Sequence, residues 1–80
     1  MNDYIATFHT HLSAMRSQRT LSAGGVQARL SPVPRSLSAS CGTCVRYRAD
    51  TPCLDALDAD MELVVRQLKE GEYERIAQNE

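Results

Sequence analysis

Apolar and polar positions alternate most cleanly between Val26 and Ser31. Val26, Ala28 and Leu30 take one side of an extended chain and Gln27, Arg29 and Ser31 the other. Strict alternation of this kind predicts a half-buried β-strand. The same period recurs in Thr43-Cys44-Val45-Arg46-Tyr47-Arg48, where Val45, Tyr47 and Ala49 share one face and Cys44, Arg46 and Arg48 the other. Tyr4-Ile5-Ala6-Thr7-Phe8 is rich in aromatic and β-branched residues and reads as the first strand. Between it and Val26 the period changes. Leu12, Ala14, Met15, Gln18 and Leu21 mark a modestly apolar face of a helix over about His11 to Ser22. Thr10 suits its N-cap, and Gly24-Gly25 supplies the residues that end it.

The C-terminal half predicts a second helix. Asp50-Thr51-Pro52 places a capping residue before a proline suited to a first helical position. Leu54, Leu57, Met61, Val64, Val65 and Leu68 then fall on one helical stripe, with Gly71 as the stop and Tyr73–Ile76 as a short last strand. The resulting order, β-α-β-β-α-β, predicts an α+β chain of ferredoxin-like design. That is a two-layer sandwich, with an antiparallel sheet carrying two helices on one face. Residues 1–80 are expected to form one small domain with an ordered core over about 4–76, and no internal repeat is visible.

This topology makes the first and second strands run parallel. The end of the first strand, the start of the first helix and the loop leaving the second strand therefore share one edge of the sheet. His9, Thr10 and His11 are expected at the same end as the loop Ser31–Cys44, while Asp50 to Cys53 fall at the other. The loop holds two of the three prolines and two of the three cysteines, in a setting of Ser, Ala and Gly with little to bury. Prolines at 32 and 34 stop the strand, and Ser36 suits the cap of a short helical turn through Ala39. The stretch reads as a mount for an exposed thiol, Cys41.

Composition narrows the classes. Lys and Arg number 9 against 10 Asp and Glu, a near-neutral balance that argues against a nucleic-acid binder. Arg29, Arg46 and Arg48 share the sheet face that carries no helix. They read as a solvated face or as a docking or dimer surface, and the aromatic positions that stack RNA bases are missing from it. No apolar run is long enough to span a membrane, and Met1-Asn2-Asp3-Tyr4 lacks the basic and apolar segments of a signal peptide. Three cysteines cannot form a complete disulfide framework, so reduced thiols in the cytoplasm are expected.

A nucleophilic thiol must be ionised and accessible. The helix N-terminus, His9, His11 and Arg35 are the groups placed to assist Cys41. Cys41-Gly42-Thr43-Cys44 also has the spacing of a redox pair. Such pairs usually open a helix, and here the motif opens a strand; fully extended, its ends would lie ~10 Å apart, beyond disulfide reach. Gly42 can close that gap by turning, so Cys44 stands as a resolving thiol that would release sulfide from a Cys41 persulfide. Cys53 beside Pro52 reads as a core residue. One Cys-x-x-Cys supplies two of the four ligands that zinc needs, so no metal is expected. No Ser/His/Asp or paired-carboxylate set appears, which favours a carrier or binding module over an enzyme with its own turnover.

Ala6-Thr7-Phe8-His9-Thr10, Pro32-Val33-Pro34-Arg35 and Ser38-Ala39-Ser40-Cys41-Gly42 together resemble the selenium/sulfur carrier protein-like family of small bacterial domains. The resemblance covers about Tyr4 to Leu68 and is most specific in the spacing from P-x-P-R to S-C-G. It implies a compact α+β fold and a cysteine, here Cys41, that carries sulfur or selenium as a persulfide or selenosulfide, with no separate cofactor. Arg35, Ser40 and Gly42 fall within its motif; Cys44 departs from it. The implied partners are a donor such as a cysteine desulfurase and an acceptor enzyme. The alternatives are an interaction or regulatory module with an incidental thiol, and a Cys41/Cys44 redox pair.

Overall fold

β1 (Asn2–Phe8) lies at the centre of a five-stranded sheet, flanked by β3 (Thr43–Ala49) and β4 (Met61–Lys69). β2 (Gln27–Pro32) and β5 (Glu72–Gln78) form the two edges, giving the order β2-β3-β1-β4-β5 with every neighbouring pair antiparallel. One helix, α1 (His11–Ala23), covers one face. The computed structural model describes residues 1–37 and 39–79.

α1 forms where the period of the sequence changed. Thr10 caps it: its hydroxyl oxygen accepts the Ser13 N–H at 3.2 Å, satisfying one of the donors that a helix start leaves open. The helix buries Ser13, Ala14, Ser17 and Leu21 against the sheet, whereas Leu12 is left exposed. Small side chains on the buried face let the helix come close. Gly25, at φ +86°, turns the chain out into β2.

Tyr4, Ala6 and Phe8 of β1, Val45 and Tyr47 of β3, and Met61 and Val64 of β4 meet Ala14 and Leu21 in the main core beneath α1. Tyr4 and Tyr47 stack at 5.3 Å between ring centroids, and the Tyr47 hydroxyl donates to the Pro52 carbonyl at 2.6 Å. Burial raises the Tyr47 hydroxyl pKa, with the nearby Cys53 and Tyr4 adding to the effect.

The second helix is not formed; the expected two-helix layout is replaced by one helix and a longer sheet. From Asp50 to Asp60 the chain returns across the α1 side with only a single 3-10 turn, Leu54–Ala56. The Asp58 N–H donates to Ser17 Oγ of α1 at 2.8 Å, which ties this return strap to the helix. Residues 61–69 are strand. Val64 and Val65 are adjacent, so in a strand they must face opposite ways. Val64 joins the main core, whereas Val65 packs on the far face with Ile5 and Cys44. A helical stripe at these positions also fits a strand buried on both faces, and β-branched valines favour the strand. Gly71, at φ +78°, then makes the turn between β4 and β5 instead of ending a helix.

Burial on both faces corrects a second expectation. The proline loop does not lack core residues: Val33 and Leu37 fold over Ile5, Cys44 and Val65 on the face opposite α1. Pro32 is the last residue of β2 rather than its stop, and pairing continues one step further, with the Val33 N–H donating to the Gly42 carbonyl at 3.1 Å. Proline is tolerated there because β2 is an edge strand. The Leu37 N–H donates to Pro34 O at 3.0 Å, closing a turn. The short helical turn expected over Ser36–Ala39 includes Ser38, which lies outside the described residues.

Candidate functional site around Cys41

The sheet order brings the end of β1, the start of α1 and the entry to β3 to one end of the molecule, as expected. It also brings the start of β4 there, because Phe8 is paired with Met61. Cys41 is half-buried two residues before β3. The Thr43 N–H donates to its sulfur at 3.3 Å, and the sulfur lies 3.5 Å from the Thr43 carbonyl oxygen, to which the thiol donates. The turn thus sets one backbone donor and one backbone acceptor against the sulfur.

Two histidines flank this turn. His11 Nδ1 lies 3.1 Å from the Thr43 hydroxyl. His9 Nδ1 lies 3.4 Å from Ser40 Oγ and 3.6 Å from Glu62 Oε2. Glu62 is the residue that binds the cysteine loop to the sheet. Its two carboxylate oxygens accept the Ser40 N–H and the Ser40 hydroxyl, each at 2.9 Å. With the Glu62 side chain only 19% exposed, these contacts are less screened than those of an open surface pair.

The backbone explains why Glu62 points there. Thr7 of β1 is opposite Leu63 and Phe8 is opposite Met61, so Glu62 is an extra residue in β4. A bulge of this kind re-aims a side chain and is common beside functional sites. On its other side, the Glu62 carbonyl accepts the Asn79 N–H at 2.9 Å.

Asp60 secures the other half of the site. Its Oδ2 accepts the Thr10 N–H at 3.0 Å and the Thr10 hydroxyl at 3.2 Å. Hydrogen bonding from Ser13, then from the Thr10 side chain and backbone, together with the nearby His9, holds the Asp60 carboxyl below its ordinary pKa. The residue that caps α1 is thus anchored to the start of β4.

Of the residues singled out in the sequence, His9, Thr10, Ser40, Cys41 and Gly42 gather at this end, and His11 with them. Arg35 sits in an exposed turn and has no hydrogen bond or ion pair to another described residue. Cys44 points away into the far-face core. It is fully buried and lies 3.6 Å from the Pro32 carbonyl oxygen. Burial raises its pKa, against a smaller lowering by Arg46. Cys53 packs beside the main core and lies 3.3 Å from the Thr51 carbonyl. All three thiols are free. Asp60, Glu62 and Thr43 are site residues that the sequence reading passed over. The signal was Leu63, whose apolar side chain breaks the helical stripe just where a strand begins. Among the described residues, no group of three or more His, Cys, Asp or Glu side chains could hold a metal.

The fold and this end of the sheet define a small α+β domain that presents a half-buried thiol on a loop tied down by a carboxylate. The chain belongs to the family described as "Putative Se/S carrier protein-like", which matches residues 3–75. It is also similar to the "Uncharacterized protein YtiA" of Escherichia coli (strain K12), being 31% identical over 45 residues. That match covers 56% of this chain and 53% of the relative, so the chain spans about half the length of the curated protein it matches. No solved structure matches the chain. No helix among the described residues is long and apolar enough to cross a membrane.

Proposed function

We propose that the protein carries sulfur or selenium on Cys41 and passes it between partner proteins in the cytoplasm. The supporting observation is the contrast between Cys41 and Cys44. Cys41 is accessible and receives a backbone N–H, whereas Cys44 is buried with its pKa raised. In loading, the Cys41 thiolate attacks the outer sulfur of a donor persulfide. A new S–S bond forms, the donor's own S–S bond breaks, and the donor leaves as a thiolate. Selenium is carried in the same way as a selenosulfide. Unloading is the reverse exchange with an acceptor thiolate.

The α1 N-terminus, whose dipole favours negative charge, shares this end with Asp60 and Glu62, while the Thr43 N–H orients the sulfur. Glu62 and Ser40 hold the loop in place, and Thr10 fixes the helix start. Arg35, exposed on the same loop, is suited to meeting an acidic partner. Buried and protonated, Cys44 is poorly suited to resolve a Cys41 persulfide, which favours the carrier reading over a redox pair. The test is to incubate the protein with a cysteine desulfurase and free cysteine and measure its intact mass. A single adduct of about 32 Da, removed by reductant, is expected. A protein that stays unmodified while the desulfurase itself is loaded would overturn the proposal.

A further inference from the structure

The face opposite α1 carries a second feature, unconnected with the thiol. Beyond the part covered by Val33 and Leu37 it opens into a groove of about 580 Å³. In register, Arg29 of β2 faces Arg46 of β3, and Arg46 in turn faces Ile5 of β1. Arg48 follows two residues along β3, on the same face and also lining the groove.

Like charges directly opposite one another on neighbouring strands destabilise a sheet. Here the neighbours offset little of that cost. Asp3 pairs with Arg48 at 3.3 Å, which leaves Arg29 and Arg46 without a carboxylate partner among the described residues. Arg46 donates its Nε–H to Ser31 Oγ at 3.2 Å. That contact fixes the guanidinium and leaves its terminal N–H groups directed elsewhere. The Arg29 side chain has no hydrogen bond to another described residue. The chain as a whole carries a formal net charge of −1, so this local positive excess runs against the overall balance.

We infer that this groove is a binding site for a small anion bearing carboxylate or phosphate groups, held between Arg29 and Arg46. Paired guanidinium forks match the oxygen geometry of both groups. The volume falls in the range of small-molecule sites, which favours a compact anion over an extended acidic chain. Ile5 supplies an apolar floor, and the amide of Gln67 supplies a neutral donor and acceptor at one end. An anion bound there would neutralise the facing arginines and stabilise the folded sheet.

The test uses the whole protein, isotope-labelled, with citrate and pyrophosphate as probes and sodium chloride at matched ionic strength as the reference. Saturable NMR shifts at Arg29, Arg46 and their strand neighbours are expected, together with a rise in Tm that chloride does not reproduce. Arg29→Gln and Arg46→Gln should each weaken binding at least tenfold, whereas Arg19→Gln, on exposed α1, should leave it unchanged. A stronger response to citrate would assign the site to carboxylates, and a stronger response to pyrophosphate to phosphates. Non-saturable shifts, equal effects of chloride, or binding that survives Arg29→Gln/Arg46→Gln would overturn the inference. So would binding of an acidic peptide at this face while both small anions fail.

Discussion

Thr7 shows how much one atom can matter in this sheet. It is fully buried opposite Cys44, and its hydroxyl has no hydrogen-bond partner among the described residues. A buried hydroxyl left unpaired costs about 1–3 kcal/mol, whereas valine keeps the same branched shape without the polar atom. Thr7→Val should therefore raise unfolding stability by about 1 kcal/mol in urea denaturation; a loss of stability would mean that the hydroxyl is satisfied. Asp60 presents the opposite case, a carboxylate with its partners in place. Its pKa is lowered in the folded protein, so its contribution is present in full above the unfolded carboxylate value, near pH 4. That contribution is lost as pH falls through the lower folded value. Tm measured from pH 7 down to about pH 2.5 should show wild type ahead of Asp60→Asn at neutral pH and level with it in acid. A gap that persists unchanged in acid would contradict this account of Asp60.

At the scale of elements, β4 governs the site. Its first three residues were expected in a helix, yet they supply the core residue Met61, the loop anchor Glu62 and, in Leu63, part of the second-face cluster. The sequence was ambiguous here for a physical reason. A strand covered on both faces shows no alternation, and six apolar residues at helical spacing satisfied the wrong period. The edge strand β2 had no such ambiguity: Ala28, and Val26 just before the strand, pack on the α1 side as their alternation implied, while Leu30 on the same side is left exposed. β3 behaves likewise, with Val45 and Tyr47 beneath α1 and Arg46 facing the groove. Helix α1 was legible through its cap and its glycines, but its buried face was not. Ser13 and Ser17 are buried while Leu12 is exposed, because close approach to the sheet selects small side chains. The bulge at Glu62 was not legible at all, since it depends on pairing with β1. Its role can be measured directly. Glu62→Ala should speed amide hydrogen exchange at Ser40 at least tenfold while leaving the β1–β3 amides protected. Unchanged exchange at Ser40 would show that the loop is held by something else.

On the scale of the whole molecule, the chain divides its two faces between different tasks. α1 and the return strap from Asp50 to Asp60 cover one face and build the main core. On the other, Val33 and Leu37 cover the end nearest the thiol and leave the arginine groove open beyond it. The shared end of β1, α1 and β3, deduced from strand order, places His9 and His11 beside the Cys41 loop even though the second helix is absent. This placement depends only on β1, α1, β2 and β3, whose antiparallel neighbours make β1 and β2 parallel whatever follows β3. The same architecture separates the three thiols: Cys41 at the loop, Cys44 under Val33 and Leu37, and Cys53 on the return strap. A site-resolved label therefore tests the central claim most directly. Each single Cys→Ser variant is incubated with a cysteine desulfurase and ³⁵S-labelled cysteine, and reductant-removable label is counted per chain. The account predicts that Cys41→Ser abolishes labelling, while Cys44→Ser and Cys53→Ser take up about as much as wild type. Labelling of Cys41→Ser equal to wild type would contradict it.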